Sequence, residues 1–374
     1  VFFRNGSEGD DSLVVDELIQ FAIEIGASDI HIAPSALPMF RVNGLIHHAF
    51  EERSFEALSF EAVDKIVKGL CSSEQYTHLN EYGEVNFSYS LVDIGRIRVN
   101  ILRQRGTFSL SIRILKRMVP AREELGLPDA LFEAVEKRHG LILVSGPAGS
   151  GRSTTTAALI QYINETQEKH IVTVEAPMEY LFRHDRSIVV QRDVGNDCIS
   201  LEAGIRQALL HDPDVLMISD LGSENVMDLA LDAAESGKLV IAGLPAIHSR
   251  SVIERFITSE AGRSIERRKQ RLAGGLICIF AQQLVPHISG EKRILAYEML
   301  FNNAAVQSSI LTGNLSEIQS ALISGKRQRM CLMDSSLLEL LKRGDIDREQ
   351  ALKYCHDEEL LKRLERKSED RLSI

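Results

Sequence analysis

LILVSGPAGSGRSTTTA, running from Leu141 to Ala157, is the stretch whose reading decides the fold. Leu141–Val144 is an unbroken apolar run, short enough for one strand buried on both faces. Gly146, Pro147, Gly149 and Gly151 then interrupt any regular backbone, and Ser153, Thr154 and Thr155 open an alanine-rich helical run. A buried strand, a glycine-rich turn and a helix start, in that order, make a phosphate cradle. Main-chain N–H groups converge in the turn and the helix N-terminus adds positive potential. The loop Gly146, Pro147, Ala148, Gly149, Ser150, Gly151, Arg152, Ser153 and Thr154 is therefore assigned to nucleotide binding. It fits G-x-x-x-x-G-K-[ST], except that Arg152 stands where the lysine belongs.

Downstream, short apolar runs alternate with helical stretches. Ile171–Val174, Val215–Ile218 and Leu239–Ala242 are further candidate strands, with helices expected over Ser153–Asn164, Leu201–His211 and Glu224–Ser236. That order predicts a parallel sheet flanked by helices. A helix over Ser249–Ser259, a basic then apolar segment over Ile265–Val285 and a strand over Arg293–Met299 follow. Beyond Asn302 the pattern is helical: Ala304–Leu311, Ser316–Ser324, Ser335–Lys342, Arg348–His356 and a charged tail.

Upstream, the periodicity is mixed. Helical spacing over Ser12–Gly26 and Phe60–Cys71 is interleaved with alternating runs at Asp29–Ile32, Met39–Leu45, Glu84–Leu91, Gly95–Arg103 and Thr107–Leu115. Asn43-Gly44 is a hairpin signal. These elements predict a small α+β domain over residues 1–118. Pro120, Gly126 and Pro128 break both periods, so 119–128 reads as a hinge, 129–302 as the α/β domain and 303–374 as a helical region.

Composition bounds the function. A chain of 374 residues with 44% hydrophobic and 26% charged residues is long enough for two cores of ordinary globular make-up. Its net charge of -10 argues against broad nucleic-acid binding. Cys71, Cys198, Cys278, Cys331 and Cys355 are scattered, and read as buried small hydrophobes of a reducing cytoplasm. The polar, acidic N-terminus lacks a signal-peptide core. The apolar run Leu276–Val285 is too short to span a bilayer, so any membrane connection is expected to go through partners.

GPAGSGRSTT (from Gly146), HIVTVEAPMEY (from His170), QALLHDPDVLMISDL (from Gln207) and ALDAAESGKLVIAGL (from Ala230) resemble the bacterial secretion ATPases. The pattern is most similar to the type IV pilus retraction (PilT/PilU-like) branch. ASDIHI (Ala27–Ile32), RIRVNILRQRG (Arg96–Gly106) and the C-terminal helices extend the resemblance over nearly the whole chain. It implies a PAS-like α+β N-terminal domain, a RecA-like P-loop ATPase domain with C-terminal helices, and a hexameric ring. ATP with Mg²⁺ as cofactors, hydrolysis driving pilus retraction at the cytoplasmic face of the inner membrane, and contact with an inner-membrane platform protein are further implications.

Residue by residue, the motifs depart from the family. Arg152 keeps the lysine's charge on a longer planar fork. Ser153 carries over as the Mg²⁺ hydroxyl ligand. The acidic box E-D-P-x-E reads Glu175, Ala176, Pro177, Met178, Glu179, keeping two carboxylates as catalytic candidates. Asp220 stands where the family has the Walker B glutamate, one methylene shorter; a plain strand-end carboxylate is the alternative. Gly222 and Ser223 replace the arginine and aspartate that follow. The T-L-H-T box reads Gly243, Leu244, Pro245, Ala246, and His248 three residues on reads as an adventitious loop histidine.

Arg96, Arg98 and Arg113 match cations that the family turns toward nucleotide, with an ordinary solvated strand face as the alternative. In the motors' A-I-R-N-L-I-R-E segment, here AVQSSILT (Ala305–Thr312), only Ala305 and Ile310 survive. Arg263, Arg267, Arg268, Lys269 and Arg271 read as a solvated basic face, or as a contact for a ring neighbour or an acidic partner. His47-His48 has no ligand-spaced companions.

Three functions remain from this reading: a degenerate, weakly active or accessory subunit joining a homo- or hetero-hexamer; a fully active retraction ATPase; and a nucleotide-gated regulator of another secretion system. The first is preferred, because the departures gather on the chemistry while the scaffold stays consistent.

Overall fold

Six strands of the N-terminal unit pair antiparallel around two apolar helices. The computed structural model describes residues 11–42, 45–48, 55–91, 95–114, 119–258, 265–290 and 292–372. Asn43-Gly44, Arg263 and the start of the chain, read above, lie outside the described residues. The chain divides into two compact units, Val1–Met118 with Glu179–Leu181, and Val119–Met178 with Phe182–Ile374.

In the first unit the elements run α1 (Asp11–Glu24), β1 (Asp29–Ile32), β2 (Met39–Val42), β3 (Leu45–His47), α2 (Phe60–Leu70), α3 (Ser73–Tyr82), β4 (Glu84–Leu91), β5 (Gly95–Gln104) and β6 (Thr107–Ile114). The sheet order is β3-β2-β1-β6-β5-β4. Alternation sends Ile97, Val99 and Ile101 of β5, with Leu110 and Ile112 of β6, to one face, where Leu18 and Ile19 of α1 and Val63 and Val67 of α2 join them in one core. Helix α3 is absent from the sequence reading because it has no apolar stripe: Leu79 is its one buried residue. Its ends make it instead. Ser72 and Gln75 form a capping box, and Gly83 closes it in the left-handed conformation.

The second unit is a seven-stranded sheet in the order β13-β12-β7-β11-β10-β8-β9. It opens with α4 (Arg122–Leu125) and α5 (Asp129–Ala134), then β7 (Gly140–Ser145), α6 (Arg152–Thr166), β8 (His170–Glu175) and β9 (Ile188–Asp193). It continues through α7 (Leu201–Leu209), β10 (Val215–Ile218), α8 (Glu224–Glu235), β11 (Leu239–Leu244), α9 (Ser249–Ile257), α10 (Ile265–Gly275), β12 (Leu276–Pro286) and β13 (Arg293–Phe301). Strands β7 to β12 pair parallel and β13 pairs antiparallel to β12, so the fold is the parallel-rich α/β sheet expected. Strands β7, β10 and β11 are buried throughout, as strands covered by helices on both faces must be. Edge strand β9 escaped the sequence reading because IVVQRD is only half-buried and carries its charges in the strand.

Leu127 packs in the core of this unit, under α5 and α6. The C-terminal helices are α11 (Ala304–Thr312), α12 (Glu317–Ser324), α13 (Met333–Arg343), α14 (Arg348–Tyr354) and α15 (Glu358–Leu372), with a 3-10 turn at Gly325–Gln328. Met333 and Leu337 of α13 with Ala351 of α14 pack on Val285 and Ala296 of β12 and β13. Among the described residues no helix is long and apolar enough to cross a membrane.

Candidate functional site

The turn from β7 to α6 is shaped by a close approach. Gly146 has φ +154°, and a Cβ there would lie 2.4 Å from both the Gln282 carbonyl oxygen and Ser150 Oγ, so no side chain fits. Gly151 begins α6 in the left-handed conformation, and no side chain caps the helix. An N-terminus made this way suits an anion. The loop is also held from outside. Gln282 Nε2 donates to the Ser150 carbonyl at 2.6 Å and Arg293 Nη1 to the Gly149 carbonyl at 3.2 Å. A trans peptide points its N–H opposite its C=O, so the Gly151 N–H is turned away from Gln282.

The residues present fit a nucleotide's phosphates. The hydroxyls of Ser145 and Ser150 are buried, and neither has a hydrogen-bond partner among the described residues, which suits donors meant for phosphate oxygens. Beside the loop lies a cavity of about 450 Å³, whose walls include Leu284, Arg293, Gly126 and Tyr297. Two of these, Leu284 and Arg293, also reach the loop at Gly151 and Gly149.

The carboxylates sit at strand ends. Asp220 follows β10, half-buried, with Oδ1 shielded and without a hydrogen-bond partner among the described residues. Burial pushes its pKa up, against the opposing pull of Arg152 and Arg255. Glu175, at the end of β8, is buried and accepts hydrogen bonds from Thr173 Oγ1 at 2.6 Å and Gln191 Nε2 at 3.1 Å. Ser219 Oγ accepts the Ala176 N–H at 2.8 Å, tying the β8 end to the β10 end. Glu179 falls in the short segment grouped with the first unit.

At the end of β11 the chain is rebuilt around Gly243. A Cβ there would lie 2.2 Å from the Ser219 carbonyl, a main-chain atom, and the Leu221 N–H donates to the Gly243 carbonyl at 2.8 Å. Arg255 Nη1 donates to the Pro245 carbonyl at 2.9 Å. His248 lies in the loop, as read, at the N-cap position of α9; it is half-buried, with Nδ1 2.7 Å from Nδ1 of His356.

Within the first unit, Arg98 and Arg113 are cross-strand neighbours on β5 and β6. Arg98 Nε donates to Asn86 Oδ1 at 2.9 Å, and Arg113 Nε to the buried Asp29 at 2.7 Å. Arg96 lies two residues before Arg98 on β5, and its side chain lies outside the described residues. Part of the basic stretch on α10 turns inward rather than to solvent, while Arg267 stays exposed. Arg268 is 3% exposed and bridges Asp228 and Glu224, while Arg271 bridges Asp232 and Glu235, because α10 lies against the acidic face of α8.

Sequence reasoning missed Gln282, Arg293 and Arg255. The available signal was Gln282 itself: a polar residue inside an apolar strand must find a partner when buried.

A phosphate loop on a parallel-rich sheet, with carboxylates at the neighbouring strand ends, defines the class of P-loop nucleotide-binding proteins. The chain belongs to the type II/IV secretion system protein family, whose model matches residues 8–370. It is 33% identical to the type IV pilus ATPase PilU of Pseudomonas aeruginosa, over 91% of this chain and 88% of that protein. It is 30% identical to the retraction ATPase PilT of the same organism, over 90% and 96%. A crystal structure of the pilus retraction motor PilT with bound ADP superposes with a TM-score of 0.85 at 37% identity, covering 93% of this chain and 98% of that one. The protein is thus a type IV pilus ATPase-like member of the family, with an N-terminal sheet unit and an ATPase unit.

Proposed function

We propose that this protein is a PilT/PilU-like subunit of the type IV pilus machinery that binds ATP and hydrolyses it weakly or not at all, acting as an accessory member of a ring. In this reading Gly146–Thr154 would hold the phosphates, the Ser153 hydroxyl would hold Mg²⁺ with Asp220 as the strand-end carboxylate, and the cavity beside Leu284 would take the base. ATP and Mg²⁺ supply the phosphoryl chemistry when bound. The chain's own residues orient the phosphates and, at Asp220 and Glu175, offer carboxylates to the attacking water.

The contrast at the strand ends carries the proposal. The phosphate loop keeps its glycine backbone, while Gly243 is packed so tightly on Ser219 that the family's threonine has no room. Pro245 occupies the histidine position and has no N–H to offer. Arg152 and the shortened Asp220 displace charge by about 1 Å, a misplacement that costs on the order of 10²-fold in rate. Losses within one catalytic unit are not additive, so turnover near background is expected.

A homo- or hetero-hexamer, a platform protein at the cytoplasmic side of the inner membrane, and Arg96, Arg98, Arg113 and Glu179 as further site residues belong to the same proposal, carried from the family resemblance. ATP turnover is measured beside binding of a non-hydrolysable analogue, for the native chain and for Arg152→Lys with Asp220→Glu. Analogue binding without turnover in the native chain supports the proposal; robust native turnover replaces it with an active retraction ATPase.

A further inference from the structure

A buried polar cluster far from the phosphate loop ties the start of α9 to the C-terminal helices. Its centre is the contact of His248 Nδ1 with His356 Nδ1 at 2.7 Å, with ring centroids 3.8 Å apart. Glu298 of β13, 5% exposed, accepts the Ser249 N–H at 2.8 Å and lies 3.7 Å from His356 Nδ1. Asp334 of α13, 2% exposed, accepts the N–H groups of His356 at 2.7 Å and Asp357 at 3.4 Å. Gln283 of β12 donates to the Tyr354 carbonyl at 3.2 Å and lies 3.4 Å from His356 Nε2.

These partners assign the tautomers. The Gln283 amide nitrogen is a donor, so His356 Nε2 accepts and the His356 proton sits on Nδ1. His356 then donates to His248 Nδ1, and the His248 proton sits on Nε2. With these partners in place neither imidazole ring can take a second proton without losing a contact. On His248 Nδ1 it would face the His356 N–H across the 2.7 Å contact. On His356 Nε2 it would face the Gln283 amide.

We propose that His248 and His356, backed by Glu298, form a proton-operated latch: in the neutral pair the turn between α14 and α15 is held on the N-terminus of α9, and acidification releases it. His248 follows the β11 end at Pro245, so the latch joins the strand-end loop of the nucleotide site to the C-terminal helices. The charged and titratable groups around it are Arg250 of α9, Glu298 of β13, Asp334 of α13, and Cys355, Asp357 and Glu358 of the turn and α15. Burial and then the neighbouring His356 lower the His248 pKa, against Glu298. A folded pKa below the unfolded value of about 6.5 means that the latch's contribution is complete above that value and is lost as pH falls through the lower, folded pKa.

The test is hydrogen exchange of the full chain at about pH 7.5 and about pH 5.5, corrected for intrinsic rates, on either side of the imidazole range. In the native chain, peptides over Ser249–Ile257 and Arg348–Leu361 are expected to lose about tenfold in protection at the lower pH, while β5 and β6 keep theirs. In His248→Asn, whose amide oxygen still accepts from His356 but takes no proton, the loss is expected to shrink below about twofold. Unchanged protection in the native chain, an equal loss in His248→Asn, or loss throughout β5 and β6 each overturns the latch. If the variant does not fold, long-range imidazole ¹⁵N spectra of the native chain decide: coupled titration with the His356 proton on Nδ1 supports it, and independent titration or the opposite tautomers overturns it.

Discussion

Gln282 Nε2 donates a 2.6 Å hydrogen bond to the Ser150 carbonyl across 132 residues of sequence. A strand that pairs parallel to β7 thus reaches over the turn leaving β7 and fixes the direction of one of its peptides. The phosphate loop is pre-shaped by its neighbour as well as by its glycines.

Gln282→Met keeps the volume and removes the donor. The buried Ser150 carbonyl then lacks its partner, at a cost of about 1–3 kcal/mol. Thermal unfolding should show that loss, and affinity for an ATP analogue should fall by about tenfold as the loop loosens, a change worth ~1.4 kcal/mol. Wild-type affinity in a folded variant would show that the brace is irrelevant to binding.

Gly243→Thr restores the family's residue and is expected to harm the protein. The added Cβ meets the Ser219 carbonyl at 2.2 Å, and a main-chain atom cannot swing aside. A cost of about 1–3 kcal/mol is expected from such overpacking. Denaturant titration measures it; a variant as stable as the native chain means that the β10 and β11 ends part easily.

Asp220→Asn tests the buried carboxylate. Burial raises its pKa, so the charged form is held less favourably in the fold than in water. Its contribution is present below the unfolded carboxylate value and is lost as pH rises through the folded one. At neutral pH the ionised carboxylate therefore carries a penalty, which the amide removes. Stability should be unchanged or higher by up to about 1 kcal/mol, discounted for partial exposure. A marked fall in the melting temperature would mean that Arg152 and Arg255 outweigh burial.

Arg268→Met removes one of the two arginine bridges between α8 and α10. Asp228 and Glu224 keep 19% and 27% side-chain exposure, so water softens the loss. About 2–4 kcal/mol is expected, short of the full cost of an orphaned buried charge. Arg268→Lys should recover only part of it, because one ammonium cannot reproduce the fork that meets both carboxylates. Full recovery by lysine would point to charge alone.

The parts legible in the sequence are those written locally. The apolar run before Gly146, the glycines and the Ser153–Thr155 helix start name a phosphate loop without reference to any distant residue. Alternation named β5 and β6, and the strand-helix rhythm named the parallel sheet. Helix α3 was hidden because its signal lies in the caps at Ser72 and Gly83, outside the helix. Strand β9 was hidden because an edge strand needs only half an apolar pattern. On α10 the charges had the spacing of a solvated face, and only the acidic residues of α8 opposite them made that face an interior one.

Sequence alone determined the fold family, the position of the phosphate loop and the substitutions at Arg152, Asp220, Gly243 and Pro245, since each depends on residue identity at a fixed spacing. Only the tertiary structure decided what surrounds them. Gln282 and Arg293 shape the loop, Ser219 leaves no room at Gly243, and His356 meets His248 from 108 residues away. Hydrogen bonds and van der Waals contacts act over a few ångströms of space, and a chain's spacing carries no record of which distant residues folding brings that close.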